Sequence, residues 1–134
     1  MSELQKVYNF IIQCSEYFIA TVDEDNKPHV RPFGTLAIFE DKLYLQTSNQ
    51  KKVFNQIQNN NNVELSAFDG EQWIRVSGKL IRDERIEAKS YVLDMHPSLK
   101  TLYSADDGKT EVFYFENGTA TISSFAAEDE VIDF

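Results

Sequence analysis

Val63-Glu64-Leu65-Ser66-Ala67-Phe68-Asp69-Gly70-Glu71-Gln72-Trp73-Ile74-Arg75-Val76-Ser77-Gly78-Lys79-Leu80-Ile81 reads as two strands folded back on each other. Val63 to Phe68 alternates apolar and polar residues, the period of a half-buried strand. Asp69-Gly70 is a hairpin signal, because both residues tolerate the backbone angles of a tight reversal. Gln72 to Ile81 then runs back, with Ile74, Val76 and Leu80 on one face and Trp73, Arg75, Ser77 and Lys79 on the other. A hairpin joins antiparallel neighbours, so this stretch points away from a parallel α/β sheet.

The same pattern continues outward on both sides. Upstream, Leu43 to Thr47 is a strand, and Val53, Phe54 and Ile57 at helical spacing predict a short helix from Gln50 to Gln58. Asparagines 59–62 suit a solvated helix exit, since asparagine tolerates left-handed geometry. Tyr17 to Val22 is a strand closed by the polar turn Asp23 to Asn26. His29 to Phe39 reads as one longer strand, followed by a turn at Glu40-Asp41. Ser2 and Gln5 have the spacing of a capping box, and Leu4, Val7, Ile11 and Cys14 recur along a helix from Glu3 to Ser15. Cys14 on that apolar face reads as a small buried hydrophobe.

Downstream, Asp83 is a good N-cap for a helix carrying Ile86, Tyr91, Leu93 and Met95. Pro97 interrupts it, and Leu99, Leu102 and Tyr103 suggest one further turn. Glu111 to Phe115 and Thr119 to Phe125 flank Asn117-Gly118, the strongest hairpin signal in the chain. The segment 126–134 reads as an acidic, loosely held tail. About seven strands with three inserted helices make the chain mainly β (α+β), an antiparallel barrel in a single domain over 1–134. Within it, 1–16 is the N-terminal helix and 17–125 the barrel with its inserted helices.

Composition narrows the function. With 134 residues there is room for one core and little more. Twenty-two acidic against 13 basic residues leave a net charge of −9, which argues against nucleic acid or anionic membrane as a partner. One cysteine allows no internal disulfide, and with two histidines it makes no standard zinc site. No apolar run approaches the ~18 residues of a membrane span, and the N-terminus lacks the apolar core of a signal peptide. The expectation is a soluble, cytoplasmic protein. Glycine-rich dinucleotide loops and Gly-x-Ser-x-Gly elbows are missing. His29 and His96 lie 67 positions apart and read as structural or solvated.

Three stretches carry the candidate chemistry. In His29-Val30-Arg31-Pro32-Phe33-Gly34 a proline removes a ladder donor and a glycine removes a side chain. Either a barrel corner or a close approach by a ligand accounts for both. At Thr47-Ser48-Asn49-Gln50-Lys51-Lys52 a strand runs into a helix. Free N–H groups, two hydroxyls and two ammonium groups there could form a phosphate cradle, or Ser48 or Asn49 could simply cap the helix. Trp73, beside Arg75 on a polar face, suits an interface or ligand wall, or a tryptophan with the arginine stacked on it.

Taken in order, these stretches resemble the FMN-binding split-barrel family of pyridoxamine-phosphate-oxidase-like proteins. Phe18 to Val22 with Pro28 to Gly34 is similar to its opening. Leu43 to Lys51 with Val53 resembles its phosphate corner. Trp73 to Gly78 resembles the strand after its central hairpin, and Phe113 to Phe115 through Ala120-Thr121 its closing strands. The resemblance implies an antiparallel split β-barrel and a homodimer with FMN at the subunit interface. It implies that Arg31, Pro32, Phe33 and Gly34 lie along the flavin, with Arg31 reaching the phosphate or the pyrimidine side. Thr47, Ser48, Lys51 and, more weakly, Lys52 would hold the phosphate, and Trp73 of the partner subunit would close the pocket. No catalytic residue is assigned, since flavin carries the redox chemistry itself. The expected function is an FMN-dependent oxidoreductase using reduced nicotinamide. The alternatives are a non-catalytic, stress-related flavin module, or the same fold binding a deazaflavin or haem. Members that oxidise vitamin B6 continue into a basic C-terminal segment. Here Ala127 to Phe134 is acidic and would repel the substrate phosphate, so that activity is not expected.

Overall fold

The computed structural model describes all 134 residues. Helix α1 (Glu3–Ile12) precedes β1 (Tyr17–Val22), β2 (Pro28–Phe33), β3 (Ala37–Phe39) and β4 (Lys42–Ser48). Then come α2 (Lys52–Asn59), β5 (Asn62–Phe68), β6 (Gln72–Asp83), α3 (Ile86–Asp94), a 3-10 helix (Pro97–Thr101), β7 (Thr110–Ser124) and β8 (Glu130–Asp133). The eight strands form one antiparallel sheet in the order β2-β1-β5-β6-β7-β4-β3, with β8 also paired to β7. The sheet does not close, because its end strands β2 and β3 are joined by chain rather than by hydrogen bonds. It is a split barrel.

The hairpin from Val63 to Ile81 forms as expected. Asp69 Oδ1 accepts from Glu71 N (2.9 Å) and Gln72 N (2.7 Å), and Gly70 takes the left-handed conformation at φ 107°. Val63, Leu65 and Ala67 on β5 and Ile74, Val76 and Leu80 on β6 are buried together. They join Ile19, Leu45 and Phe113 in the main core, against which α1 lays Val7, Phe10 and Ile11. Burying each such side chain is worth ~1.5–3 kcal/mol, which fixes register because a one-residue slip would expose the whole set. A smaller cluster of Ala37, Tyr44, Ala88, Val92 and Val112 lies beneath α3.

Several expectations are corrected. Asn117-Gly118 is not a hairpin: β7 runs through it for 15 residues, paired to β6 on both sides. Asn117 does adopt φ 55°, but it makes a bulge in which Asn117 and Gly118 together face Gly78. A reversal there would leave half of the 12-residue β6 without its partner. The two-residue reversal with left-handed angles falls instead at Glu40 (φ 50°) and Asp41 (φ 59°), between β3 and β4.

The stretch from His29 to Phe39 is two strands, broken at Gly34 to Leu36, where the chain crosses from one edge of the sheet to the other. Helix α1 is shorter than expected. Ser2 Oγ accepts from Gln5 N (3.0 Å), but the Gln5 side chain turns to Asn9, so only half of the capping box forms. Cys14 is half-buried against the core. None of asparagines 59–62 uses left-handed geometry; Asn60 ends α2 in an extended conformation and Asn62 begins β5.

Asp83 does not cap a helix. It ends β6 with its side chain buried, accepting from Tyr44 Oη (2.7 Å) and Arg85 Nη2 (2.9 Å). Nor is the acidic tail loose. Ile132 is buried, and Gly118 N donates to Phe134 O (3.0 Å) while Phe134 N donates to Gly118 O (2.8 Å). Lys6 pairs with Glu130 as well.

Burial raises the Asp83 carboxyl, but its hydrogen bonds from Arg85 and Tyr44 outweigh this and bring it to about 2. A carboxylate depressed below its unfolded value stabilises the fold above that unfolded value. This contribution is therefore lost as pH falls from about 4 to about 2. Asp83→Asn should flatten that acid limb in denaturant melts followed across the same pH range. At Gly118, a methyl group would lie 2.5 Å from the Phe134 ring. Gly118→Ala should displace Phe134, cost ~1–3 kcal/mol, and expose the β8 amides to hydrogen exchange while β5 and β6 stay protected.

Candidate functional site

A cavity of about 400 Å³ opens where the sheet fails to close. Such a volume lies within the ~300–1,000 Å³ usual for small-molecule and cofactor sites. Arg31, Pro32, Phe33 and Gly34 form one wall, and Thr47 and Lys51 supply the strand–helix corner. The first two stretches singled out in the sequence thus meet in space. Ser48 and Lys52 do not line the cavity: Ser48 is buried with its Oγ accepting from Gln50 N (3.2 Å), and Lys52 is exposed. Trp73 is also away from it within one chain. Its ring packs on Phe125, centroids 5.1 Å apart, and Phe125 is 92% exposed.

Arg31 is held by neutral acceptors alone. Its Nη1 donates to Thr21 Oγ1 (2.8 Å) and Ile19 O (3.3 Å), and its Nη2 to Gln56 Oε1 (2.7 Å). Thr21 Oγ1 donates in turn to Gln56 Oε1, which fixes the guanidinium against α2. Burial pulls the Arg31 pKa down, and no carboxylate is present to offset it. No acidic side chain lines the cavity at all. In a protein of net charge −9, this is a cationic pocket with its charge uncompensated.

Helix α2 begins at Lys52 with Lys51 in the N-cap position, and no side chain caps its first N–H groups. Neither Ser48 nor Asn49 acts as the cap. The Asn49 amide donates elsewhere, to Gly108 O (2.8 Å) and Glu111 Oε2 (3.0 Å). The open end of the helix dipole therefore stands beside the Lys51 ammonium, an arrangement that favours an anion.

Sequence reasoning missed Thr35, Gln46, His96 and Tyr103, all of which line the cavity. Thr35 Oγ1 accepts from Gln46 N (3.0 Å) and donates to Gln46 O (3.1 Å), and Thr35 O accepts from Tyr17 Oη (2.6 Å). Burial raises the Tyr17 hydroxyl pKa, so it remains a donor. His96 Nε2 lies 3.0 Å from both Leu36 N and Leu36 O, accepting or donating according to its tautomer. The only sequence signal for these residues was the interruption at Pro32 and Gly34. Nothing local in the sequence ties His96 to Leu36, 60 positions away.

Two atoms on the cavity wall have no partner. Gln46 Nε2 and Thr47 Oγ1 are buried and make no hydrogen bond within the chain. An unmet buried polar group costs ~1–3 kcal/mol, a cost the ligand-free chain carries at two consecutive residues of β4, whose side chains leave on opposite faces of the strand. Two cations and an uncapped helix end make the cavity suited to an anionic ligand.

Comparison with known proteins agrees with the geometry. The family model for pyridoxamine 5'-phosphate oxidase matches residues 4–112. A NimC/NimA family protein from Clostridium acetobutylicum is 40% identical, covers 98% of this chain and 92% of its own, and superposes with a TM-score of 0.93. General stress protein 26 from Bacillus anthracis is 24% identical over 98% of this chain and 100% of its own, with a TM-score of 0.72. A heme-binding protein from Mycobacterium smegmatis is 12% identical, covers 99% of this chain and 58% of its own, and has a TM-score of 0.77, a likeness of fold alone. No curated protein matches in sequence. The ordered match along most of the chain, on a split barrel with this cavity at its opening, shows that the chain belongs to the pyridoxamine 5'-phosphate oxidase family.

Proposed function

We propose that this chain is an FMN-binding flavoprotein, acting as a homodimer and reduced by a nicotinamide donor. The observation that carries the reading is the uncompensated charge of Arg31, held only by neutral acceptors, and of Lys51 at the uncapped head of α2, in a cavity free of carboxylates. Lys51, the head of α2 and Thr47 would hold the phosphate. Gln46, on β4, would line the flavin's side of the cavity. Pro32, Phe33, Val53 and Leu99 give the apolar walls that exclude water. Bound FMN supplies hydride and electron transfer, so the chain itself needs only to bind, orient and shield.

The homodimer draws support from the outer face of the sheet. Phe18, Phe68 and Phe125 are exposed there, with Trp73 beside them, and such a surface is unusual on a monomer. Vitamin-B6 oxidation remains unsupported. The acidic groups of the tail are held in place along β8, where Asp133 accepts from Thr119 Oγ1 (2.8 Å).

The test is a visible spectrum of the purified protein after incubation with FMN and desalting, then anaerobic addition of NADH or NADPH. Retained flavin that bleaches faster than free FMN is the expected result. Retained flavin that does not bleach with either donor would point to a non-catalytic flavin module. Failure to retain FMN, with retention of haem or a deazaflavin instead, would overturn the cofactor. Gln46→Leu provides a second check. Removing an unpaired buried donor should raise the stability of the ligand-free chain by ~1 kcal/mol in denaturant melts while weakening FMN binding.

A further inference from the structure

A second buried polar group lies behind the phosphate corner and has no part in the cavity itself. Glu111, on β7, is only 2% exposed. Its carboxylate takes Arg82 in a two-pronged ion pair, with Arg82 Nε to Glu111 Oε1 and Arg82 Nη2 to Glu111 Oε2 both at 2.9 Å. Oε2 also accepts from Asn49 Nδ2 at 3.0 Å. From this one anchor, two links run to the start of α2. Arg82 lies over the Phe54 ring, 5.3 Å from its centroid, and Phe54 belongs to the first turn of the helix. Asn49 opens the turn before the helix, with its own N–H donating to Lys109 O (2.9 Å). That turn closes through Lys51 N to Ser48 O (3.1 Å) and sets where Lys51 leaves the backbone.

We propose that Asn49, anchored on the buried Glu111 carboxylate, is a positioning residue for the anion-binding corner at Lys51 and the head of α2. The proposal rests on the reading that this corner takes the phosphate of FMN. Glu111 must be paired here on physical grounds, because a buried carboxylate is tolerated only with its hydrogen bonds met. Arg82 neutralises it, which leaves Asn49 to translate its fixed position into the geometry of the turn. Paired with Arg82, the Glu111 carboxylate acts through the turn it holds.

Riboflavin lacks the phosphate and therefore separates positioning from general loosening. FMN and riboflavin affinities are measured by fluorescence titration for the wild-type chain, Asn49→Ala and, as a reference, Lys51→Ala. Asn49→Ala should weaken FMN about tenfold and leave riboflavin within about twofold; the lost bonds to Glu111 and Gly108 lower the melting temperature, but the chain stays folded because Arg82 still pairs with Glu111. Asn49→Asp, which sets a second carboxylate against Glu111, should weaken FMN further by the same measure. Equal loss of both ligands in Asn49→Ala, or loss of neither, overturns the positioning role. If Lys51→Ala erases the preference for FMN while Asn49→Ala keeps it, the phosphate corner stands and Asn49 alone is overturned. A wild-type chain with no preference for FMN over riboflavin would instead remove the phosphate corner.

Discussion

An antiparallel sheet that stops short of closing leaves two strand edges whose backbone groups must find partners, and everything distinctive about this chain follows from how that is met. Between β2 and β3 the chain crosses the gap through Gly34, Thr35 and Leu36. Side chains take over the work of a missing strand. Thr35 exchanges hydrogen bonds with the Gln46 backbone through its hydroxyl, Tyr17 donates to Thr35 O, and His96 meets the Leu36 backbone. The gap is thus hydrogen-bonded across rather than left with open backbone groups. Because side chains replace main chain, it leaves room for a cavity.

The walls of that cavity run against the composition of the protein. A chain with a net charge of −9 keeps acidic groups away from one place and puts two cations there. Two other arginines are matched: Arg85 with Asp83 and Glu40, Arg82 with Glu111. Arg31 alone among these is held by threonine, glutamine and backbone oxygens, which orient its charge without neutralising it. The free chain gains nothing from leaving that guanidinium uncompensated or two neighbouring polar atoms unpaired. Such local cost is the usual mark of a site shaped for something that binds.

The family relationship and the geometry bear on different questions. Membership in the pyridoxamine 5'-phosphate oxidase family settles the fold. Relatives that share the fold at 24% and 12% identity are described as a stress protein and a heme-binding protein, so the fold alone does not choose a ligand. The choice lies with the residues at the gap.

Much of this was legible in the sequence because it rests on local rules. The bounds of β1 follow from the run Tyr17 to Val22 and the polar turn after it. The Asp69-Gly70 reversal follows from turn chemistry, and the strand–helix corner at Thr47 to Lys51 from a change of period. The misreadings share one cause. Asn117-Gly118 has every local qualification for a hairpin, yet the long partner strand β6 keeps it in line as a bulge. The tail looked solvated by composition, but the edge of β7 and the space over Gly118 were waiting for Ile132 and Phe134. His96, Gln46 and Tyr103 reach the cavity only after the sheet has curled. The sequence by itself determined periods, turns and the charge of each stretch, because those depend on neighbours within a few residues. Which backbone groups pair, which edges stay open, and which distant side chains line the gap were decided by tertiary structure. Hydrogen bonds and burial between strands are satisfied across the whole sheet at once, not segment by segment.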